Sequence, residues 1–593
     1  MPILVGLSLL SWSAAHATYR HVPHDRAYEI SQNIIRGKVV SETGESVAGA
    51  TVSNITLGSV AQTDESGNFE LSGSVGNELR ISMVGFTTKT ISVTGSQMNV
   101  TIVSSDQNLD EVVVVGYGKQ KKVNLTGAVA QIDSKVLQDR PVANATQALQ
   151  GAVPNLNINF TNGRPGGEGK VNIRGFASIN SANAAPLVLI DGVPGNINTI
   201  NPKDIESISV LKDASAAAIY GARGAFGVML VTTKKGQAGK MTIGYSNNFG
   251  TSDLTVNTDF ITNGYDAAVL NDEAFLRATG NRYTGYTDED YAELLKRKND
   301  PSLPSVVIQN RNGKDQYVYY ANTDWWNTFY RDKMNSMEHA LTFSGGSEKM
   351  DYYISGRMYK KGGIMKIQQD KFEGYNLRAR LNGQVRDWLK VSNNSQINYQ
   401  NYTFPGWNGS VDANNNFIST TVHALPSYVA QNPDGTATYR TELNNYNIGD
   451  GIMADLLYGK SKGGEKEYEF INLFEAVAQV MPGLTVTGNY TFTYNPIDKF
   501  NRRAQAPWSV YPGVISYLGN DQLVQNLENY KKHSLNIFAN FNKSVGDHNF
   551  VATAGYNQEL SIWRNVGGTQ TNLLSEDLND FNLGTGVPLL RGG

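Results

Sequence analysis

The sequence predicts a mainly β protein in three parts: a small β-sandwich, then an α+β domain, then about nine long strands of a transmembrane antiparallel β-barrel. Three observations carry that expectation. Glycine and tyrosine are abundant, at 59 and 30 of 593 residues, while only 18% of residues are charged, a composition that favours strands and turns. Short apolar runs punctuated by turn residues fill positions 33–105. From Lys240 onward the period-two alternation of apolar and polar residues becomes strict.

Composition also excludes several classes. The chain has no cysteine, which rules out disulfide scaffolds, cysteine nucleophiles and thiolate metal sites. With 51 Lys plus Arg against 54 Asp plus Glu, the net charge is −3, too little positive charge for a nucleic-acid binder. The only long apolar run, Pro2 to Ala17, is shorter than the roughly 20 residues a membrane-crossing helix needs. A mean hydropathy of −0.35 still allows a membrane protein, because barrel strands alternate and average out. HExxH does not occur, and the chain reads as a non-enzyme, with no cofactor and no metal.

At the N-terminus, Ile3 to Trp12 forms an apolar signal-like region, and Ala15-His16-Ala17 fits a small-x-small cleavage pattern, although no basic segment precedes it. A signal peptide over 1–17 and a leader over 18–32 are expected. His21 and His24 lack a third ligand at zinc spacing. Residues 33–105 hold about seven strand-sized runs, among them Val47 to Val52, Phe69 to Leu71, Leu79 to Met83 and Ile91 to Val93, which suits a sandwich.

Within 108–118, Asp110-Glu111-Val112-Val113-Val114-Val115-Gly116-Tyr117 places four β-branched residues between acids and glycine. Such a run is either a strand of the sandwich, at its edge or centre, or a segment held out to add a strand to another protein's sheet. Residues 119–236 mix helix and strand signals. Asn162 to Gly175 is a Gly-rich turn feeding a short strand that ends in Arg174-Gly175. It is not a phosphate loop, because Arg164 and Val171 stand where that motif needs Gly and Ser or Thr. Pro186 to Pro194 reads as a strand ending in a tight Asp191-Gly192 turn. Asn201 to Asp213, closing on Lys212-Asp213, reads as a helical turn and then a strand. Ala214 to Gly236 reads as a short Ala-rich helix carrying Tyr220-Gly221 and Arg223-Gly224, a glycine stop, and a strand.

The barrel expectation for 240–593 rests on strands with one apolar and one polar face. Tyr375, Leu377, Ala379 and Leu381 alternate with Asn376, Arg378, Arg380 and Asn382, which suits lipid on one side and a wet lumen on the other. Leu484 to Tyr494 and Leu535 to Phe541 repeat the pattern. Short turns at 347–350, 384–387, 481–483 and 545–548 alternate with long connections at 251–336, 401–466 and 495–531, the asymmetry of an outer-membrane barrel. The last strand is expected near 549–559, with no further strand after it. Nine strands leave open edges and cannot close such a barrel. Trp325, Trp326, Tyr330, Trp407, Trp508 and Tyr511 sit in or near the long connections. They are candidate ligand contacts, interfacial anchors or parts of a partner-facing patch. Asp412 to Asn416 has oxygen ligands at alternate positions but lacks the glycine and acidic twelfth residue of a calcium loop.

Two resemblances organise these motifs. Residues 33–105 resemble the carboxypeptidase regulatory-like domain, with Ser46 near the place where that family usually has proline. The segment at 110–117, the upstream IRG, IDGVP, and IESISVLKDASAAAIYGARGAFGVMLVTTKKG resemble the TonB box and plug of the SusC/RagA family of TonB-linked outer-membrane proteins. Phe226 and Ala222 depart from that pattern. The resemblance implies a TonB box at 108–118, a plug at 119–236 and part of a barrel of about 22 strands at 240–593, left incomplete by truncation. It also implies energised nutrient uptake in the outer membrane of a Gram-negative bacterium. The partners implied are TonB with ExbB/ExbD, a SusD-like lipoprotein, outer-membrane lipid and a glycan or peptide ligand. On this reading Arg174, Asp191, Lys212, Asp213 and Arg223 are expected to hold a plug against a polar barrel wall.

Overall fold

The structure, a computed structural model, describes residues 34–83, 86–103, 112–115, 118–121, 129–138, 140, 142–160, 163–175, 185–213, 217–255, 257–405, 424–442, 448, 452–546 and 548–592. The expected signal and leader, and with them His21 and His24, lie outside these residues, as do Trp407 and Asp412 to Asn416.

The N-terminal domain is two small sheets facing each other. One has three strands in the order Asn68–Ser72, Ile34–Ser41, Gln97–Ile102, the last pair parallel. The other has four, in the order Val60–Gln62, Thr51–Asn54, Glu78–Ser82, Lys89–Ser92. Alternation decides which side chains meet between them. Phe69 and Leu71 are buried while Asn68 and Glu70 are exposed, and Leu79 and Ile81, with Val52 beside them, meet Val39, Val100 and Ile102 of the other sheet in one apolar cluster.

The α+β domain is built on a five-stranded sheet in the order Val129–Asp133, Ile205–Leu211, Val228–Thr233, Leu187–Ile190, Val193–Pro194. Val228–Thr233 is central and nearly buried throughout, which is why its sequence is a continuous apolar run rather than an alternating one. The helix Ala145–Leu149 begins where the Asn144 side chain accepts from the Gln147 backbone N–H. Its Leu149 joins Ile132, Leu156, Ile205, Ile208, Met229 and Val231 in a core drawn entirely from this domain. The Ala-rich stretch forms a 3-10 turn, Ala218–Gly224, interrupted at Gly221 by a non-helical backbone (φ 57°, ψ −142°). An L side chain is strained there.

The rest is one ten-stranded antiparallel sheet in sequential order. Its strands run from Gly239–Asp253 through Lys333–Gly346, Met350–Gly362, Lys371–Arg386, Leu389–Pro405, Lys462–Met481, Leu484–Arg503 and Gln522–Val545 to His548–Thr571. A short tenth strand, Leu589–Gly592, follows. The faces separate as expected: Leu377 and Leu381 are 51% and 49% exposed, whereas Arg378 and Arg380 between them are 1% and 6% exposed. No helix among the described residues is long and apolar enough to cross a membrane. The sheet is open, with Gly239–Asp253 and Leu589–Gly592 at its edges.

Two expectations need correction. The last long strand does not end near 559 but runs to Thr571, and Leu589–Gly592 pairs with it. The connection expected at 495–531 is mostly strand, because Asn495 to Arg503 stay paired with Gln522 to Tyr530. Backbone pairing requires no apolar face, so the ladder continues where the side-chain alternation fades. The first connection, by contrast, folds around helices Gly264–Thr279 and Asp288–Asn299 and a hairpin of Val306–Arg311 with Lys314–Tyr319.

Candidate functional site

The inner face of the wall meets the α+β domain through buried polar groups. The Asp191-Gly192 turn has φ values of 48° and 85°, as a type I′ hairpin turn requires. It presents the Asp191 carboxylate beyond the end of its strand. That carboxylate accepts from the Thr233 backbone N–H at 3.0 Å and from the Thr233 hydroxyl. It also meets Arg378 at 3.3 Å, Arg380 at 3.2 Å and the Asn394 side-chain amide at 2.9 Å. Arg378 and Arg380 share a face because they are two apart on one strand, and Asn394 is paired opposite Arg380 on the next. Burial alone would raise the Asp191 pKa, but Arg380 and Arg378 hold it below the usual carboxylate range.

A second anchor starts at Asn201, whose side chain caps the 3-10 turn Pro202–Asp204. The turn aims the Asp204 carboxylate at the Tyr353 hydroxyl, 3.0 Å away, and the Ser355 hydroxyl, 2.8 Å away. Arg357, on the same wall face, donates to the Val142 and Ala143 carbonyls at 2.6 and 3.0 Å and pairs with Glu338 at 2.6 Å. Lys203 reaches Glu338 at 3.3 Å. Arg223 pairs with Glu559 at 2.8 Å on a further strand. At Gly166 the approach is so close that a Cβ would lie 2.2 Å from the Phe372 ring.

This distribution has a chemical meaning. The domain keeps its apolar core to itself and contacts the wall largely with hydrogen bonds and ion pairs. Water can replace such contacts, each at a net cost of about 0.5–1.5 kcal/mol for neutral pairs and more for charged ones. The joint is therefore specific and still separable without unfolding either part.

Only part of the expected charged set lies on this joint. Asp191 and Arg223 reach the wall. Arg174 instead pairs with Asp213 at 2.5 Å, and Lys212 donates to the Pro154 carbonyl at 2.6 Å, all within the domain. Arg174 (φ 62°) and Gly175 (φ 93°) form a left-handed turn after their strand, so the Arg-Gly pattern serves the turn. Tyr220 packs beside the apolar cluster of Leu189, Leu211 and Val228. At Gly224 a Cβ would lie 2.8 Å from the Ala217 carbonyl. Asp204, Glu338, Arg357 and Thr233 were missed; the signal was the polar alternation at Tyr353, Ser355 and Arg357.

Of the 110–117 segment, Val112–Val115 form a strand paired antiparallel with Gly118–Lys121. Asp110, Glu111, Gly116 and Tyr117 lie outside the described residues. Trp325 and Trp326 are buried, 5% and 7% exposed, in an aromatic cluster that ties the long connections to the strands through Tyr359, Phe372, Tyr402 and Phe404. Trp325 donates to the Leu425 carbonyl at 3.0 Å, which gives it a structural part. Trp508 is half-buried, edge-on to Tyr439.

Comparison with known proteins bears directly on this arrangement. Residues 121–228 match the TonB-dependent Receptor Plug Domain, and residues 35–114 match the CarboxypepD_reg-like domain. The TonB-dependent receptor SusC of Bacteroides thetaiotaomicron is 32% identical over 348 residues, covering 56% of this chain and 31% of that protein. The chain belongs to the SusC/RagA family of TonB-dependent receptors. TonB-dependent receptor P26 of Formosa agariphila is 33% identical over 415 residues, covering 68% of this chain and 37% of the relative. The RagAB peptide importer in its open-open state has the same fold, with a TM-score of 0.61 at 23% identity over 82% of this chain and 53% of that one. This SusC/RagA chain spans about a third to a half of the length of the curated relatives it matches, from 31% to 49%.

Proposed function

We propose that the protein imports a nutrient, an oligosaccharide or an oligopeptide, across the outer membrane of a Gram-negative bacterium by TonB-driven remodelling of its plug. The observation that carries this reading is the joint just described: a plug with a self-contained core, held to a lipid-facing wall by buried polar contacts. TonB, energised through ExbB/ExbD, adds a strand to Val112–Val115, whose backbone offers hydrogen bonds along one edge. Traction then exchanges the contacts at Asp191, Asp204 and Arg223 for water, and the lumen opens. A SusD-like lipoprotein closes over the outer connections and holds the solute above the plug.

Deleting Val112 to Val115 from the full-length receptor tests the proposal. Growth on the imported nutrient is expected to stop while surface expression persists. Unchanged growth would identify an uncoupled structural surface protein instead. Co-purification of a lipoprotein with the intact receptor tests the lid.

A further inference from the structure

The seam between plug and wall is not filled. A cavity of about 380 Å³, within the size range of small-ligand sites, lies between the plug turn at Ile190 to Asn196 and wall residues that include Glu467, Glu469, Thr491 and Lys532. A second, of about 240 Å³, is bordered by Arg164, Glu168, Glu465 and Glu467. Asn196 and Glu467 border both cavities, so the two lie side by side along the seam.

The charges along it do not cancel. Glu465 sits between Arg164 at 3.9 Å and Lys499 at 3.8 Å. Glu467 accepts from the Asn495 amide at 2.8 Å, and Glu469 from the Asn398 amide at 2.8 Å. Amides satisfy lone pairs but bring no positive charge. Lys532, on the larger cavity, pairs with Glu559 at 3.1 Å, a carboxylate that Arg223 shares.

A second observation points to an occupant. Thr491 borders the larger cavity and is 2% exposed, yet its hydroxyl has no hydrogen-bond partner among the described residues. A buried polar group without a partner is costly, and an incoming donor would relieve it. Aliphatic walls from Val193, Ile471 and Leu473 lie beside the carboxylates. Apolar walls ending in acids and a lone acceptor complement a methylene chain that ends in a cation.

We propose that this seam is a subsite for the aliphatic cationic side chain of a translocating peptide, so that the receptor favours basic oligopeptides over neutral or acidic ones. The inference rests on the transport reading above and narrows its solute class.

Isothermal titration of the full-length receptor in detergent with trilysine, trialanine and triglutamate tests it. Trilysine is expected to bind at least about tenfold more tightly than trialanine, with triglutamate weakest. Combining Glu467→Gln with Glu469→Gln should remove that preference and leave trialanine unchanged. The single Glu467→Gln variant, at a half-buried position, should show part of the loss if the double variant folds poorly. Equal affinity of the wild type for all three peptides, as expected if only water or inorganic cations occupy the seam, would overturn the proposal, as would undiminished trilysine binding by the variants. The titration needs no TonB. Loss of charge preference therefore sinks the subsite alone, whereas growth that survives box deletion sinks the transport reading alone.

Discussion

Replacing Asp191 with Asn tests what seats the plug. Asparagine tolerates the left-handed backbone at φ 48° and can still accept from the Thr233 N–H. The substitution therefore removes charge with little change of shape. It leaves Arg378 and Arg380, 1% and 6% exposed, beside each other without the carboxylate that both approach within 3.3 Å. Breaking a buried pair by removing one partner costs roughly 3–5 kcal/mol. The lower end applies here, because Asp204 also acts favourably on Arg378. About 3 kcal/mol corresponds to roughly a hundredfold increase in the population of unseated plug. Native-state hydrogen exchange of the Lys203 and Asp204 amides, in the short turn that Tyr353 and Ser355 cover only while the plug is seated, should accelerate by up to that factor in the full-length receptor, and cells should become more sensitive to large antibiotics. Adding Arg380→Gln removes one of the two stranded cations and should recover part of the loss. Exchange within about threefold of wild type, or additive effects of the two substitutions, would refute the idea that charge pairing holds the joint.

Arg223→Ala should cost under about 1 kcal/mol by the same measurement, because Arg223 is about half exposed and Lys532 remains beside Glu559. Trp325→Ala should lower the thermal stability of the outer connections by roughly 3–5 kcal/mol, since it empties a buried site and orphans the Leu425 carbonyl; a change confined to ligand affinity would contradict its structural part. Burial pushes the Asp455 carboxyl up to about 6 despite Arg503 at 3.3 Å. The folded state then holds this proton more tightly than the unfolded chain, so stability around helix Ile452–Tyr458 should be greatest near pH 4 and decline as pH rises through about 6. Hydrogen exchange of that helix at about pH 4.5 and 7.5 reads the trend, and Asp455→Asn should flatten it.

Strand periodicity was legible wherever one face of a strand had to be apolar. Leu377 and Leu381 against Arg378 and Arg380 declare one apolar and one polar face before any coordinates are seen. The Asp191-Gly192 turn was equally plain, because only a few residue types accept its backbone angles. The full length of the strands was not legible, since at Asn495 to Arg503 backbone pairing persists where no side-chain pattern is imposed.

By itself, then, the sequence determined the order of sandwich, α+β domain and long-stranded sheet, because local alternation and turn chemistry are written residue by residue. It did not determine which charges meet. Arg174 and Asp213 carry the same signs as Asp191 and Arg223, yet the first pair closes a turn within the plug while the second two cross to the wall. Asp191 and Arg378 lie 187 residues apart, and Arg223 and Glu559 lie 336 apart. Partners at such separations are chosen by how the plug packs against the curved sheet, a property of the assembled fold that no local pattern encodes.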